Sequence, residues 1–224
     1  MAGKVLDPAA IKRHSLDVRI AHWIVAVSFI LLGLSGLALF YPPFFFLTAI
    51  MGGGETARLL HPWIGLVLAL GYCYLFARFI LVCLPAPEDV TWMLRAADVM
   101  AGREENLPEI GKFNPGQKLY FWLMAGAIVL LLVSGVIIWR IYFGAFTTIE
   151  LQRVAVLTHS IVAALAILGF IFHLHMATWE AGSLSAMIRG TVTGGWAWKH
   201  HRKWLREMVA AKGGKAEANI PPAE

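Results

Sequence analysis

Four windows of this chain are free of charge for long enough to cross a lipid bilayer. No charged residue falls between Arg19 and Glu55. Nineteen uncharged residues separate Arg58 from Arg78, and the apolar run continues beyond Arg78 to Leu84. Twenty-one lie between Lys118 and Arg140, and twenty-six between Arg153 and Glu180. Crossing the hydrocarbon takes about 20 apolar residues in a helix. The pattern therefore predicts transmembrane helices near 20–40, 60–84, 117–140 and 151–178. The runs are continuous, without the alternation of a β-barrel strand. Between them, 42–56 reads as a flexible loop around Gly52-Gly53-Gly54. The long polar loop at about 85–116 leaves room for a short helix at 91–101.

Lysine and arginine orient the spans. The N-terminal segment, the middle loop and the C-terminal segment together carry fifteen of them, against three in the other two loops. Excess Lys and Arg mark the cytoplasmic side, and four spans return both termini to that side. The expected organisation is a cytoplasmic N-terminal tail at 1–19, a four-helix transmembrane domain at 20–178, and a cytoplasmic tail at 179–224. The last dozen residues read as disordered. Trp196–Arg206, with tryptophans among Lys, Arg and His, reads as a segment lying at the lipid interface. The first apolar stretch is too long for a cleavable leader.

Composition agrees with the pattern. Of 224 residues, 58% are hydrophobic and 15% charged, against about 45–50% and 25% in soluble domains. The net charge of +5 is a topology signal, and no nucleic-acid partner is expected. Cys73 and Cys83 share one apolar run, and no CxxC or CxxCH occurs. A structural disulfide, an iron–sulfur site and covalently attached haem are not expected.

The chemistry resides in histidines, because ionisable residues within a span mark function. In the last span His159 and His173 are 14 residues apart, which is within about 40° of four full turns, so they share a face about 21 Å apart along the axis. His175 projects about 160° away from His159 and reads as structural. His61 opens the second span at the depth of His159, and His22 opens the first at the depth of His173. Two depth-matched pairs point to bis-imidazole haem b, at an outer site (His61, His159) and an inner one (His22, His173). Bis-histidine ligation suits electron transfer. A zinc site would need third and fourth ligands. His14, His200 and His201 flank the membrane and read as solvated.

Seven stretches carry a resemblance: AHWIVAVSFILLGLSG at 21–36, LLHPWIG at 59–65, KFNPGQKLYFW at 112–122, SGVIIWR at 134–140, LTHS at 157–160, FHLHMATWEAGS at 172–183 and KHHRKW at 199–204. In this order, over about 180 residues, the chain resembles the cytochrome b (gamma) subunits of membrane-bound, quinone-linked formate dehydrogenases. The GKFNPGQK stretch favours these over the cytochrome b subunits of hydrogenases. The resemblance implies an all-α membrane protein, a four-helix bundle binding two b-type haems, with axial ligands on His22, His61, His159 and His173. It implies a quinone site, for menaquinone or ubiquinone, near the inner haem and involving Asn114, Gly116 and His173. Exposed amides at the start of the third helix suit quinone carbonyls. Arg19, Arg78 and Arg140, near helix ends, suit either haem propionates or snorkelling.

The order of sites gives a mechanism. An iron–sulfur (beta) subunit on the outer face passes electrons to the outer haem, then the inner haem, then a quinone that takes protons from the cytoplasm. Formate oxidation belongs to a molybdenum or tungsten catalytic (alpha) subunit. The competing readings are a hydrogenase or another periplasmic donor on the same scaffold, and a redox-silent anchor or transporter with no haem.

Overall fold

A two-residue strand, β1 (Ile11–Lys12), precedes the first long helix in the computed structural model, which describes residues 10–103, 107–180 and 182–211. Helix α1 (Leu16–Phe40) carries Asp17 in its first turn, at the positive end of its dipole. It stops at Tyr41 because two prolines follow. The clash with a following proline excludes the α region, and Tyr41 is extended (φ −122°, ψ 111°).

Those prolines do not open a flexible loop. They start a 3-10 helix, Pro42–Met51, in which Thr48 Oγ1 donates to the Phe45 carbonyl at 2.8 Å. Gly52 and Gly53 end it at positive φ (85° and 108°), a conformation glycine adopts without steric cost. Helix α2 (Gly54–Phe79) begins at once, with Glu55 in its first turn. The expected start near residue 60 is therefore too late, and His61 lies seven residues inside the helix.

The polar connection that follows holds two short helices, α3 (Pro87–Leu94) and α4 (Ala96–Met100), separated at Arg95 (φ −103°, ψ 22°). The single short helix expected at 91–101 is thus divided. Helix α5 (Pro115–Ile138) has a reciprocal cap. The Gln117 amide donates to Asn114 Oδ1 at 2.8 Å, and the Asn114 amide donates to Gln117 Oε1 at 3.0 Å. Pro115 stands at the first helical position, where no N–H is required. After α6 (Arg140–Phe143) and a 3-10 turn, the 31-residue α7 (Ile149–Trp179) forms. Four short elements complete the described chain: α8 (Ser183–Arg189), β2 (Thr191–Val192), α9 (Gly194–His200) and α10 (Arg202–Ala211). Strands β1 and β2 pair antiparallel, Ile11 opposite Val192. The segments expected as tails, 1–19 and 179–224, thus contain folded elements. Residues 1–9 and 212–224, including Lys4, Lys212, Lys215 and the terminal dozen, lie outside the described residues.

The chain divides into two compact units. One comprises Asp17–Arg78 and Trp122–Met176; the other comprises Met1–Leu16, Phe79–Phe121 and Ala177–Glu224. In the first, the greater parts of α1, α2, α5 and α7 form a bundle. All four of these helices are long and apolar enough to cross a membrane. The bundle's burial is inverted relative to a water-soluble protein. Its fully packed positions include Ala38, Ala57, Ala69, Ala155, Ala166, Ser28, Ser35 and Ser134, while Leu70 and Leu165 are exposed. Lipid solvates leucine as well as a core does, so helices gain by close approach, which small residues allow. At Gly71 a Cβ would stand 2.9 Å from Val25 Cγ2, so α1 and α2 meet at a distance only glycine permits. Phe29 of α1 stacks on Phe170 of α7, with ring centres 5.1 Å apart.

The second unit buries large side chains. Trp204, Leu205, Val192, Ala186 and Ala197 form its core, and Arg13 and His201 are buried with them. The Arg13 guanidinium lies over the rings of Trp196 (4.7 Å) and Trp204 (5.1 Å). It donates to the Lys112 carbonyl at 2.7 Å and lies 3.1 Å from His201 Nε2. Arginine has no acceptor, so Nε2 accepts and the His201 proton sits on Nδ1, donated to the Gly111 carbonyl at 2.8 Å. The expectation that His14 and His201 are solvated is therefore corrected. His14 packs between Phe79 and Phe113, and His201 is a neutral internal strut. Ion pairs surround this core: Lys118 to Asp89 at 2.8 Å and Arg206 to Glu109 at 3.2 Å.

Burial, aided by the Arg13 charge, pushes the His201 imidazole down to about 3. Its unfolded value is about 6.5, so between these values the unfolded state binds the extra proton and stability falls as pH falls. Melting curves of the purified protein between pH 7 and pH 5 are expected to shift down with acid. The shift should be shallower in His201→Gln, which cannot titrate.

Candidate functional site

The four span histidines all belong to the bundle unit, and the structure brings them together two by two. His22 on α1 faces His173 on α7 with ring centres 6.3 Å apart and planes at 50°. His61 on α2 faces His159 on α7, also at 6.3 Å, with planes at 60°. One unbroken helix thus supplies a ring to each pair. Its rise separates the two levels by about 21 Å along its axis, and Phe29 and Phe170 stack at an intermediate level. His175 is exposed, on the other side of α7 from His159.

At this separation the two imidazoles of a pair stand too far apart to hydrogen-bond directly to each other. A metal–imidazole bond is about 2.0–2.1 Å and a ring nitrogen lies about 1.1 Å from its ring centre. Two imidazoles on opposite sides of one metal ion therefore place their centres about 6.2–6.4 Å apart. Both pairs stand at that separation. Among the described residues, no group of three or more His, Cys, Asp or Glu converges as a metal site. Each pair thus offers two protein donors, which suits a metal whose remaining positions are filled by a macrocycle.

The surroundings of the two pairs differ. At the His61/His159 pair a buried serine meets each ring: Ser35 Oγ lies 2.8 Å from His61 Nδ1, and Ser134 Oγ lies 2.9 Å from His159 Nδ1. Each serine is followed by glycine, and a Cβ at Gly36 or Gly135 would come 3.5 or 3.4 Å from Cε1 of the same imidazole. At the His22/His173 pair, His22 Nδ1 is buried and has no hydrogen-bond partner among the described residues, and Trp23 packs edge-on against the ring. Sequence reasoning missed the two serines. Their signal is a Ser-Gly pair recurring in two otherwise apolar spans.

The other candidates are placed as follows. Asn114 and Gly116 lie in the second unit, where Asn114 caps α5. A Cβ at Gly116 would stand 3.7 Å from the Trp92 ring. Arg140 Nε donates to Gln152 Oε1 at 2.7 Å. Arg78 lies 3.5 Å from Asp17, which also accepts from the Tyr74 hydroxyl. Arg78 and Arg140 thus have partners within the protein.

Comparison with known proteins agrees with this arrangement. Residues 13–190 match the family described as prokaryotic cytochrome b561. The chain belongs to that family. It is 37% identical over 197 residues to the cytochrome b556(Fdn) subunit of the nitrate-inducible formate dehydrogenase of Escherichia coli (strain K12), covering 88% of this chain and 91% of that one. It is 39% identical over 207 residues to the cytochrome b556(fdo) subunit of formate dehydrogenase from the same organism, covering 92% and 97%. The cytochrome b556 subunit of Haemophilus influenzae formate dehydrogenase is 36% identical over 209 residues, covering 93% and 88%. As a cytochrome b561 with four apolar helices, the chain is an integral membrane protein of a haem b family. The residues present fit that group, with two opposed imidazoles per site at the separation iron requires and an apolar bundle around them.

The exposure of His175 generates a prediction. His175→Phe is expected to retain the wild-type haem content of the purified protein, and His173→Phe to lower it. A pyridine haemochrome assay against protein concentration measures both.

Proposed function

We propose that this chain is the dihaem membrane subunit of a formate dehydrogenase complex, passing electrons from the outer face of a bacterial cytoplasmic membrane to a quinone. The observation that carries the reading is the pair of imidazole pairs, each opened to 6.3 Å, at two levels of α7. Two six-coordinate haems b at these levels would each accept and release one electron, with no open position for a gas.

His61 and His159 hold the outer group, and His22 and His173 the inner one. The Lys and Arg excess on one side of the four spans supports a cytoplasmic location for both termini; α7 then runs from the outside inward, with His159 the outer ligand on it. Nothing in the chain binds a molybdenum or tungsten cofactor in this reading. Formate oxidation belongs to a partner catalytic subunit, and electrons arrive through an iron–sulfur subunit. The relatives' names, cytochrome b556 subunits of formate dehydrogenases, support a formate dehydrogenase complex as the partner.

Asn114 and Gly116 are the proposed quinone-binding residues, for menaquinone or ubiquinone. Because Asn114 Oδ1 is committed to the Gln117 amide, its Nδ2 is the group that donates to a quinone carbonyl. Gly116 lies in the first turn of α5, where helix amides lack intrahelical acceptors.

Two measurements test the proposal. A reduced-minus-oxidised spectrum with haemochrome stoichiometry is expected to give two b-type haems per chain. His61→Ala is expected to leave one, the inner. No haem in a folded, haem-supplied preparation overturns the reading in favour of a redox-silent anchor.

The quinone assignment separates from the cap by choice of substitution. Asn114→Ser keeps a good N-cap but removes the amide donor, so the Michaelis constant for a soluble quinone should rise about 3- to 10-fold, the worth of one hydrogen bond, with the melting temperature held. Asn114→Ala should also lower stability, by about 0.5–2 kcal/mol.

A further inference from the structure

The two serines at the outer pair share one geometry on two different helices. Ser35 Oγ lies 2.7 Å from the Leu31 carbonyl and 3.3 Å from the Leu32 carbonyl of α1. Ser134 Oγ lies 2.6 Å from the Leu130 carbonyl and 3.3 Å from the Leu131 carbonyl of α5. A hydroxyl has one proton and a carbonyl can only accept, so each serine spends its proton on its own helix. Toward the neighbouring imidazole, at 2.8 Å for His61 and 2.9 Å for His159, the serine oxygen can then only accept. The shared proton belongs to Nδ1, and the lone pair of each ring belongs to Nε2. Two apolar spans thus place the same device against two facing rings.

We infer that Ser35 and Ser134 are positioning residues that fix the Nδ1–H tautomer of His61 and His159, and so lower the potential of the haem that these two histidines hold. This rests on the haem reading above. A ring that donates its second N–H is a more basic ligand and favours the more highly charged metal, here ferric iron. No hydroxyl does this for His22, whose Nδ1 has no partner among the described residues.

The test is an optical redox titration of the purified complex. The outer component is identified as the one absent from His61→Ala. In Ser35→Ala the outer haem should become easier to reduce, its reduced-to-oxidised ratio at fixed potential rising about 3- to 10-fold, the worth of one lost hydrogen bond. Tenfold is about 59 mV for a one-electron couple. Ser134→Ala should move the same component in the same direction, and Ser35→Thr, which keeps the hydroxyl, should restore the wild-type value. The electron paramagnetic resonance signal of the outer ferric haem should change, and that of the inner should not. Selective loss of the outer haem in Ser35→Ala, reversed in Ser35→Thr, supports the inference equally. Two haems in both proteins with an unmoved outer potential overturns it. So does an equal shift of both haems, a shift toward harder reduction, or a defect that Ser35→Thr shares. A wild-type protein without haem instead overturns the haem reading itself.

Discussion

An imidazole placed in hydrocarbon has two nitrogens to satisfy and no water to satisfy them. Leaving a buried polar group without a partner costs about 1–3 kcal/mol. The bundle unit holds four such rings. Much of its architecture follows from giving those eight nitrogens something to bind. The rings face each other in pairs with centres 6.3 Å apart, and at His61 and His159 a serine hydroxyl takes one nitrogen of each ring. The serines do so without leaving an orphan of their own, because a mid-helix hydroxyl can return its proton to the carbonyl one turn earlier. Around His61 and His159 the polar residues of the spans thus form closed sets.

The rest of the bundle serves this geometry. A helix must stand where its histidine meets a partner on another helix, and in lipid no hydrophobic force pulls helices to that spacing. Close approach does so instead. Gly71 lets α1 and α2 meet, and the buried alanines and serines allow the same elsewhere. α7 has a further duty. By remaining helical through 31 residues it ties the depth of one pair to the depth of the other, so the distance between the two levels is set by helix rise, without reliance on loops.

Much of this was legible in the sequence because two simple rules govern it. Charge is excluded from hydrocarbon, so charge-free windows located the four long helices. The α-helical period is fixed, so His159 and His173 could be placed on one face, and His175 off it, before any coordinates. What was not legible depends on tertiary context. Nothing in Pro42–Gly54 announced a 3-10 helix in place of a loop, since Pro and Gly punctuate both. Because the charge-free window begins only at Leu59, the start of α2 was set too late; a helix can begin in its polar flank. Ser35 and Ser134 look like ordinary small residues of membrane helices until the rings they touch are known. His201 sits in a run of Lys, His, Arg and Trp that reads as a wet surface, and only the folding of β1, α9 and α10 around it makes it internal.

The second unit shows why charge counts alone misjudge such segments. Its Lys and Arg excess reports topology, yet Arg13 contributes no exposed charge. Its guanidinium is stacked between Trp196 and Trp204 and bonded to a backbone carbonyl and a neutral imidazole. Removing a cation from water is costly. The aromatic faces and oriented acceptors offset part of that cost, and the neutral tautomer of His201 is a condition of the arrangement. A protonated ring there would present a second cation to Arg13 and lose the acceptor at Nε2. The same requirement therefore recurs in both units. In each, the function of a histidine depends on which nitrogen holds its proton, and a neighbour on another element fixes that choice: Arg13 for His201, and serine for His61 and His159.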